Sequence, residues 1–210
     1  MFRKGRTALR PAPTAAPAEY GSPALARVAE HLARGGKRQV LDLGKALQHN
    51  LDFLSQFPTR LFFEPLEDVL SDVRAGTVRV EPDSAPPPPP FAGLFVYPAE
   101  VRFDLILAWD LFDYLEPEHI DALCERLSPH LARDCLLFCL VSNQAEIPAE
   151  PRRYRILTEG RLAYEPRGPA RIPGPQHSAM ALKARLPDFS LERSFLLRNG
   201  MQEYLFLYRG

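Results

Sequence analysis

The sequence predicts an α/β protein: a mostly parallel, twisted sheet with helices on both faces, closed by an antiparallel hairpin near the C-terminus. Three observations predict it. Between residues 22 and 76, short apolar strands alternate with amphipathic helices, the pattern of a parallel sheet covered on both sides. Val40-Leu-Asp-Leu-Gly44 reads as a buried strand running into a tight turn. Asn199-Gly200 separates two strand-like runs, which is a strong hairpin signal.

Each element can be justified in order. Residues 1–21, rich in Pro, Ala and Arg, are expected to form a flexible arm, and 22–210 a single domain. Ser22 is a helix N-cap with Pro23 at the first helical position; Leu25, Val28, Ala29 and Leu32 make the apolar stripe, and Gly35-Gly36 ends the helix. Val40–Leu43 is the first strand. The next helix places Leu47, Leu51 and Leu54 on one face, with Phe57 a turn further on, and stops at Pro58. Leu61–Phe63 is a short strand ending in Glu64. Pro65 opens a helix with Leu66, Val69, Leu70 and Val73 on one face, closed by Gly76.

A third strand around Val78 and Val80 is expected next, then a stiff proline-rich loop over 76–98 built on Pro86–Pro90. Phe103–Ala108 is a buried strand ending at Trp109-Asp110. Pro117 starts a helix with Ile120, Leu123, Cys124, Leu127 and Leu131 toward the core, and Cys135–Val141 is another apolar strand. Residues 143–175 read as a loop-like excursion that could lid a cleft. Within it, Tyr154–Leu157 and Leu162–Tyr164 flank Thr158-Glu-Gly-Arg161 as a hairpin. Ala179–Leu186 is a short helix stopped by Pro187. Phe189–Leu197 and Glu203–Tyr208 form the terminal hairpin, with Tyr204, Phe206 and Tyr208 on one face.

Composition narrows the function. At 210 residues and 23.7 kDa, one domain with a sizeable core is expected. Twenty-six basic residues balance 26 acidic ones, so no overall field recruits nucleic acid or a membrane surface. No apolar run approaches the ~20 residues of a membrane span. Arg3, Lys4, Arg6 and Arg10 precede no apolar core, so no secretory leader is expected. Cys124, Cys135 and Cys139 form no CxxC pair and read as small hydrophobes in a reducing, cytoplasmic setting. His31, His49, His119, His130 and His177 show no metal-ligand spacing, and no metal is expected. The sequence has no P-loop, Gly-x-Ser-x-Gly elbow or His-Glu-x-x-His motif, which argues against nucleotide hydrolysis, serine esterase and metalloprotease chemistry.

Four segments carry a family resemblance. They are Val40-Leu-Asp-Leu-Gly44, the acidic strand end Glu64, Phe103-Asp-Leu-Ile-Leu-Ala-Trp-Asp110 followed by Tyr114-Leu-Glu-Pro117, and the hairpin through Asn199-Gly200. Over roughly residues 22–210 the chain resembles the class I S-adenosylmethionine-dependent methyltransferases. The resemblance implies a Rossmann-like methyltransferase fold, a seven-stranded sheet whose last strand is antiparallel. It implies methyl transfer from S-adenosylmethionine to an acceptor, either a small molecule or a protein. Asp42 and Gly44 match the start of the family's glycine-rich loop, with Ala46 where a second glycine is expected and Gln48 where a third often occurs. A side chain at Gln48 would crowd that loop. Glu64 matches the residue that accepts hydrogen bonds from the cofactor's ribose. Glu81 and Asp83 are candidates for the acidic residue after the third strand. Trp109 and Asp110 match the end of the fourth strand, where cofactor and acceptor meet.

Each of these residues also has a structural reading. Asp42 supports a cofactor loop or bonds to its own turn, Glu64 holds a ribose or stabilises a helix N-terminus, and Trp109-Asp110 faces a crevice or caps the core. Asp110 is the candidate general base, and Trp109 a stacking surface for a planar group. Tyr114, Asn143 and Tyr154 are placed near the same edge. Arg152, Arg153 and Arg155 read as a solvated basic cluster, with an anionic substrate as the alternative. The departures at Ala46 and Gln48 support a second hypothesis: an inactive methyltransferase-fold scaffold, or pseudoenzyme, that meets a protein partner through the N-terminal arm or Pro86–Pro90. A different nucleotide-like ligand is a third reading.

Overall fold

The computed structural model describes residues 18–70, 91–165, 167–174 and 177–210. In chain order it begins with β1 (Ala18–Gly21), α1 (Pro23–Ala33), β2 (Arg38–Asp42), α2 (Gln48–Leu54) and β3 (Thr59–Phe63). β4 (Phe103–Trp109), α3 (Pro117–Leu127) and β5 (Leu131–Ser142) follow. The excursion holds β6 (Glu146–Pro148), β7 (Arg153–Thr158), β8 (Arg161–Glu165) and β9 (Arg171–Pro173). The chain closes with α4 (Ala179–Arg185), β10 (Phe189–Leu196) and β11 (Met201–Tyr208).

Among the described residues the main sheet has six strands, in the order β10-β11-β5-β4-β2-β3. β3, β2, β4 and β5 run parallel, with Val40 opposite Leu61 and Leu105, and Leu107 opposite Phe138. β11 runs against both β5 and β10, so β10 points the same way as the parallel strands. This is a mostly parallel, Rossmann-like arrangement, with a reversed final strand inserted beside β5. The turn at Gly200 needs positive φ (80°), which glycine adopts at no steric cost.

Both faces of the sheet are buried. Leu41, Ile106, Leu137 and Phe206 pack against Ile120 and Leu123 of α3 and Leu182 of α4. Val40, Leu105, Phe138 and Leu205 pack against Leu25, Val28 and Leu32 of α1 and Phe53 and Leu54 of α2. The two free thiols of β5, Cys135 and Cys139, face the first of these layers, and burial pushes both well above the ordinary thiol range. No helix among the described residues is long and apolar enough to cross a membrane, and no group of His, Cys, Asp or Glu there could hold a metal ion.

Several elements differ from expectation. Residues 18–21, expected in the arm, form β1, which pairs antiparallel with β8. The short ladder and the edge-on contact of the Tyr20 and Tyr164 rings, 6.1 Å apart, hold them there. Residues 1–17 lie outside the described set. The hairpin β7–β8 and β1 add a three-stranded layer on the α1 and α2 side of the sheet. The buried side of α2 is Asn50, Phe53 and Leu54, with Leu51 partly exposed, because Asn50 bonds the backbone of β7 at Tyr154 O and Ile156 N. After Pro65 the chain makes one 3₁₀ turn at Leu66–Asp68. The expected helix end at Val73 and Gly76, the strand at Val78 and Val80, and the Pro86–Pro90 run fall outside the described residues, as do Glu81 and Asp83.

The entry into α1 is doubly fixed. Ser22 Oγ accepts from Leu25 N–H at 3.1 Å, and buried Glu203 of β11 accepts from Ala24 N–H at 3.0 Å. Carboxylates are favoured at a helix N-terminus, where N–H groups lack intrahelical partners. Ser22→Ala removes the cap and leaves Glu203 in place; the expected loss is about 1 kcal/mol in urea unfolding, with an unchanged denaturant slope.

Candidate functional site

The chain leaves β2 to form β3 on one side and leaves β4 to form β5 on the other. The connections therefore diverge between β2 and β4, and in open α/β sheets such a divergence opens a crevice at the carboxyl ends of the strands. A crevice lies there, lined by Gly44, Lys45 and Leu47 after β2, by Trp109 and Asp110 at the end of β4, and by Arg152 and Tyr154 from the excursion. The volume open to a water-sized sphere is about 30 Å³, room for about two waters.

Asp42 lies beneath the crevice lining, 1% exposed, and holds two of the residues that line it, Gly44 and Trp109. Its Oδ1 accepts from Gly44 N–H at 2.9 Å and from Trp109 Nε1–H at 2.6 Å; Oδ2 has no partner among the described residues. Burial pushes the Asp42 carboxyl up to about 6, against the pull of the Trp109 and Gly44 donors. Trp109 is also stacked on Tyr154, with ring centroids 5.5 Å apart and planes 5° from parallel. It sits at φ 50°, a rare conformation for a bulky residue. A methyl group on Gly44 would lie 2.9 Å from the indole Cδ1 and Nε1, so glycine is what lets the ring settle over this turn.

Further along the edge, Asp110 and Arg152 form a buried ion pair at 3.0 Å, their side chains 1% and 8% exposed. Asp110 also accepts from the Arg152 backbone N–H. Burial raises the Asp110 carboxyl and Arg152 opposes the rise. Both oxygens of Asp113 accept from Ser142 N–H at 3.0 Å. Its carboxyl is pushed up to about 7, first by burial and then by the charge of Asp110.

Of the residues singled out in the sequence, Asp42, Gly44, Trp109 and Asp110 come together. Glu64 does not line the crevice; it accepts from the Tyr97 hydroxyl at 2.7 Å. Ala46 is exposed and away from the crevice. Gln48 does not crowd it either, because its amide turns outward to Asp52 at 2.6 Å. Trp109 fills that space instead. Lys45 is engaged by Glu67 and Asp68, each at 2.9 Å. Tyr154 lines the crevice, Tyr114 donates to Glu150 O, and Asn143 is exposed. The expected solvated cluster divides: Arg153 is exposed, Arg155 pairs with Glu165 at 2.8 Å, and Arg152 is buried because Asp110 is there to neutralise it. Asn50 was not singled out, although an Asn at a buried helical position is a readable signal.

No family model and no curated protein matches the sequence. Among solved structures, the chain is similar to an S-adenosylmethionine-dependent methyltransferase from Clostridium acetobutylicum ATCC 824, with 10% identity, 88% of this chain and 89% of that one covered, and a TM-score of 0.49. It is similar to CalS10, an amino pentose methyltransferase from Micromonospora echinaspora, with 15% identity, 88% and 90% covered, and a TM-score of 0.49. It is also similar to the 1,6-didemethyltoxoflavin-N1-methyltransferase of Burkholderia thailandensis, with 19% identity, 90% and 77% covered, and a TM-score of 0.48. These are distant likenesses.

Gly44→Ala forces the new methyl against a ring held by a hydrogen bond and a stack. A loss of ~1–3 kcal/mol is expected in urea unfolding, with a shifted emission from Trp109, the sole tryptophan. The raised carboxyls also set a pH dependence. Asp42 and Asp113 bind protons more tightly folded than at their ordinary value of 3.8, so their stabilisation is complete below about pH 4 and is lost as pH rises through about 6 and about 7. The melting temperature is expected to fall over that window. Asp42→Asn, which keeps an acceptor and removes the buried charge, flattens the fall by on the order of 3 kcal/mol.

Proposed function

We propose that this chain binds S-adenosylmethionine in the crevice between the ends of β2 and β4 and transfers its methyl group to an acceptor. The observation that carries this reading is the position of the Leu43-Gly44 turn, which lines a crevice where, among the described residues, the connections of β2 and β4 diverge. The sequence resemblance over residues 22–210 supports it.

The polar groups present suit such a cofactor. Asp42, beneath the lining, has one buried oxygen with no partner among the described residues, which could accept from a ligand donor once the indole moves, and Gly44 brings backbone to the crevice without a side chain. The room suits it only with the Trp109 indole displaced, since small-molecule pockets run to ~300–1,000 Å³. When bound, the cofactor supplies an electrophilic methyl group on a sulfonium. The chain's own residues would bind, orient and exclude water, which is most of what such a transfer requires. Tyr154 and Leu47 supply apolar walls. Asp110 holds Arg152, and with it the start of β7, over the crevice, so its charge is committed to that pair and not to a proton transfer. The oxygens of Asp113 are likewise engaged by Ser142 N–H.

The small crevice volume favours a second reading, a methyltransferase-fold binding module without catalysis. Its partner contacts would fall on the N-terminal arm or Pro86–Pro90. Calorimetric titration with S-adenosylmethionine and S-adenosylhomocysteine separates the two readings. Saturable binding with a micromolar dissociation constant, weakened about tenfold by Asp42→Asn, is the expected result. No heat at millimolar ligand would sink the first reading and leave the second.

A further inference from the structure

We propose that Trp109 is a swinging plug, seated in the crevice of the free protein and displaced when a ligand enters. The proposal rests on reading this crevice as the cofactor site. The indole occupies the space that the Gly44 turn would otherwise leave open: a Cβ at residue 44 would strike the ring at 2.9 Å. With the ring in place, about 30 Å³ remains open to water-sized spheres.

The contacts that seat the ring can be exchanged. One is a hydrogen bond from Nε1 to Asp42 Oδ1, a second is the face-to-face stack on Tyr154, and a third is an edge-on contact with Phe138, ring centroids 5.9 Å apart. A ligand with an N–H or O–H donor replaces the first, and one with a flat or apolar portion replaces the second. Departure of the indole therefore leaves the Asp42 acceptor and the Tyr154 face partnered by the ligand, whose apolar portion also has to cover the side of Phe138 that the indole covered. The hydrogen bond from Gly44 N–H to the same Asp42 oxygen is independent of the ring and keeps the floor in shape while the ring moves.

The backbone beneath the ring is suited to two states. Trp109 sits at φ 50°, where a bulky side chain is strained, at the last residue of β4. The pairing of β4 with β5 shifts register between Leu107 and Trp109, so the ladder is already irregular where a change of φ and ψ would fall. The following residue, Asp110, is anchored to Arg152. The change thus falls at Trp109, between the irregular end of the β4–β5 ladder and a fixed carboxylate. A plug of this kind lowers apparent affinity by the fraction of molecules that hold the crevice open.

Because Trp109 is the sole tryptophan, protein labelled with 5-fluorotryptophan carries one fluorine reporter. The expected fluorine NMR spectrum has a major buried resonance and a minor solvent-exposed one, and S-adenosylhomocysteine shifts the population to the second. Tyr154→Leu, which removes the stack, raises the minor population several-fold without ligand. Trp109→Ala, or Trp109→Phe if the former does not fold, binds S-adenosylhomocysteine at least about tenfold more tightly than the native chain by calorimetry. A single resonance in every sample overturns the plug whatever the calorimetry shows. Equal affinities in native and Trp109 variants overturn it while leaving the proposed function standing. Two exchanging resonances with no ligand heat in any variant support the moving ring and sink the cofactor reading.

Discussion

One oxygen atom, Asp42 Oδ1, joins the ends of the neighbouring strands β2 and β4. It accepts from Gly44 immediately after β2 and from the indole at the end of β4. Both donors are buried or partly buried, so breaking either bond strands a polar group away from water, a cost of ~1–3 kcal/mol. The geometry of the edge depends on this pair. The bond to Gly44 fixes the turn that leads toward α2, and the bond to Trp109 fixes the ring on which Tyr154, and through it β7, is stacked. The burial that raises the Asp42 carboxyl is the same burial that makes its two donors matter.

A second layer of buried charge holds the excursion against the sheet. Asp110 and Arg152 neutralise each other at a site where either one alone would be strongly destabilising. Asn50 completes the attachment by bonding both an acceptor and a donor on the backbone of β7. The three-stranded layer is therefore pinned at its inner strand by α2, by the end of β4 and by an aromatic stack. This places it as a wall of the crevice and explains why a Pro-rich stretch without helical periodicity nevertheless packs closely.

The parallel strands and both long helices were legible because they are written in local chemistry: apolar runs of strand length, the Ser22-Pro23 cap, the Asn199-Gly200 turn. The crevice was legible too, since Asp42, Gly44, Trp109 and Asp110 all sit at strand ends. Illegible were the pairings between distant residues. Nothing local marks Arg152 as the partner of Asp110, 42 positions away, or Glu203 as a cap for a helix 179 positions earlier. The place of β1 beside β8 is hidden for the same reason, because an edge strand of four residues has no periodicity of its own and takes its conformation from the ladder it joins. Gln48 points outward because its amide donates to Asp52, and Trp109 inward because its indole donates to Asp42, 67 positions away, a pairing that no spacing encodes.

The insertion of β11 between β5 and β10 has a consequence for synthesis. β5 is twelve residues long, with eight consecutive buried positions from Cys135 to Ser142, and its second neighbour in the sheet is β11. Until residues 201–208 have left the ribosome, that apolar strand presents an unpaired edge, the feature most prone to joining another chain. The same segment carries Glu203, so the entry to α1 waits for a residue made 179 positions after it. Closure of this sheet thereby waits for β11, and β5 stays open to mispairing in the interval.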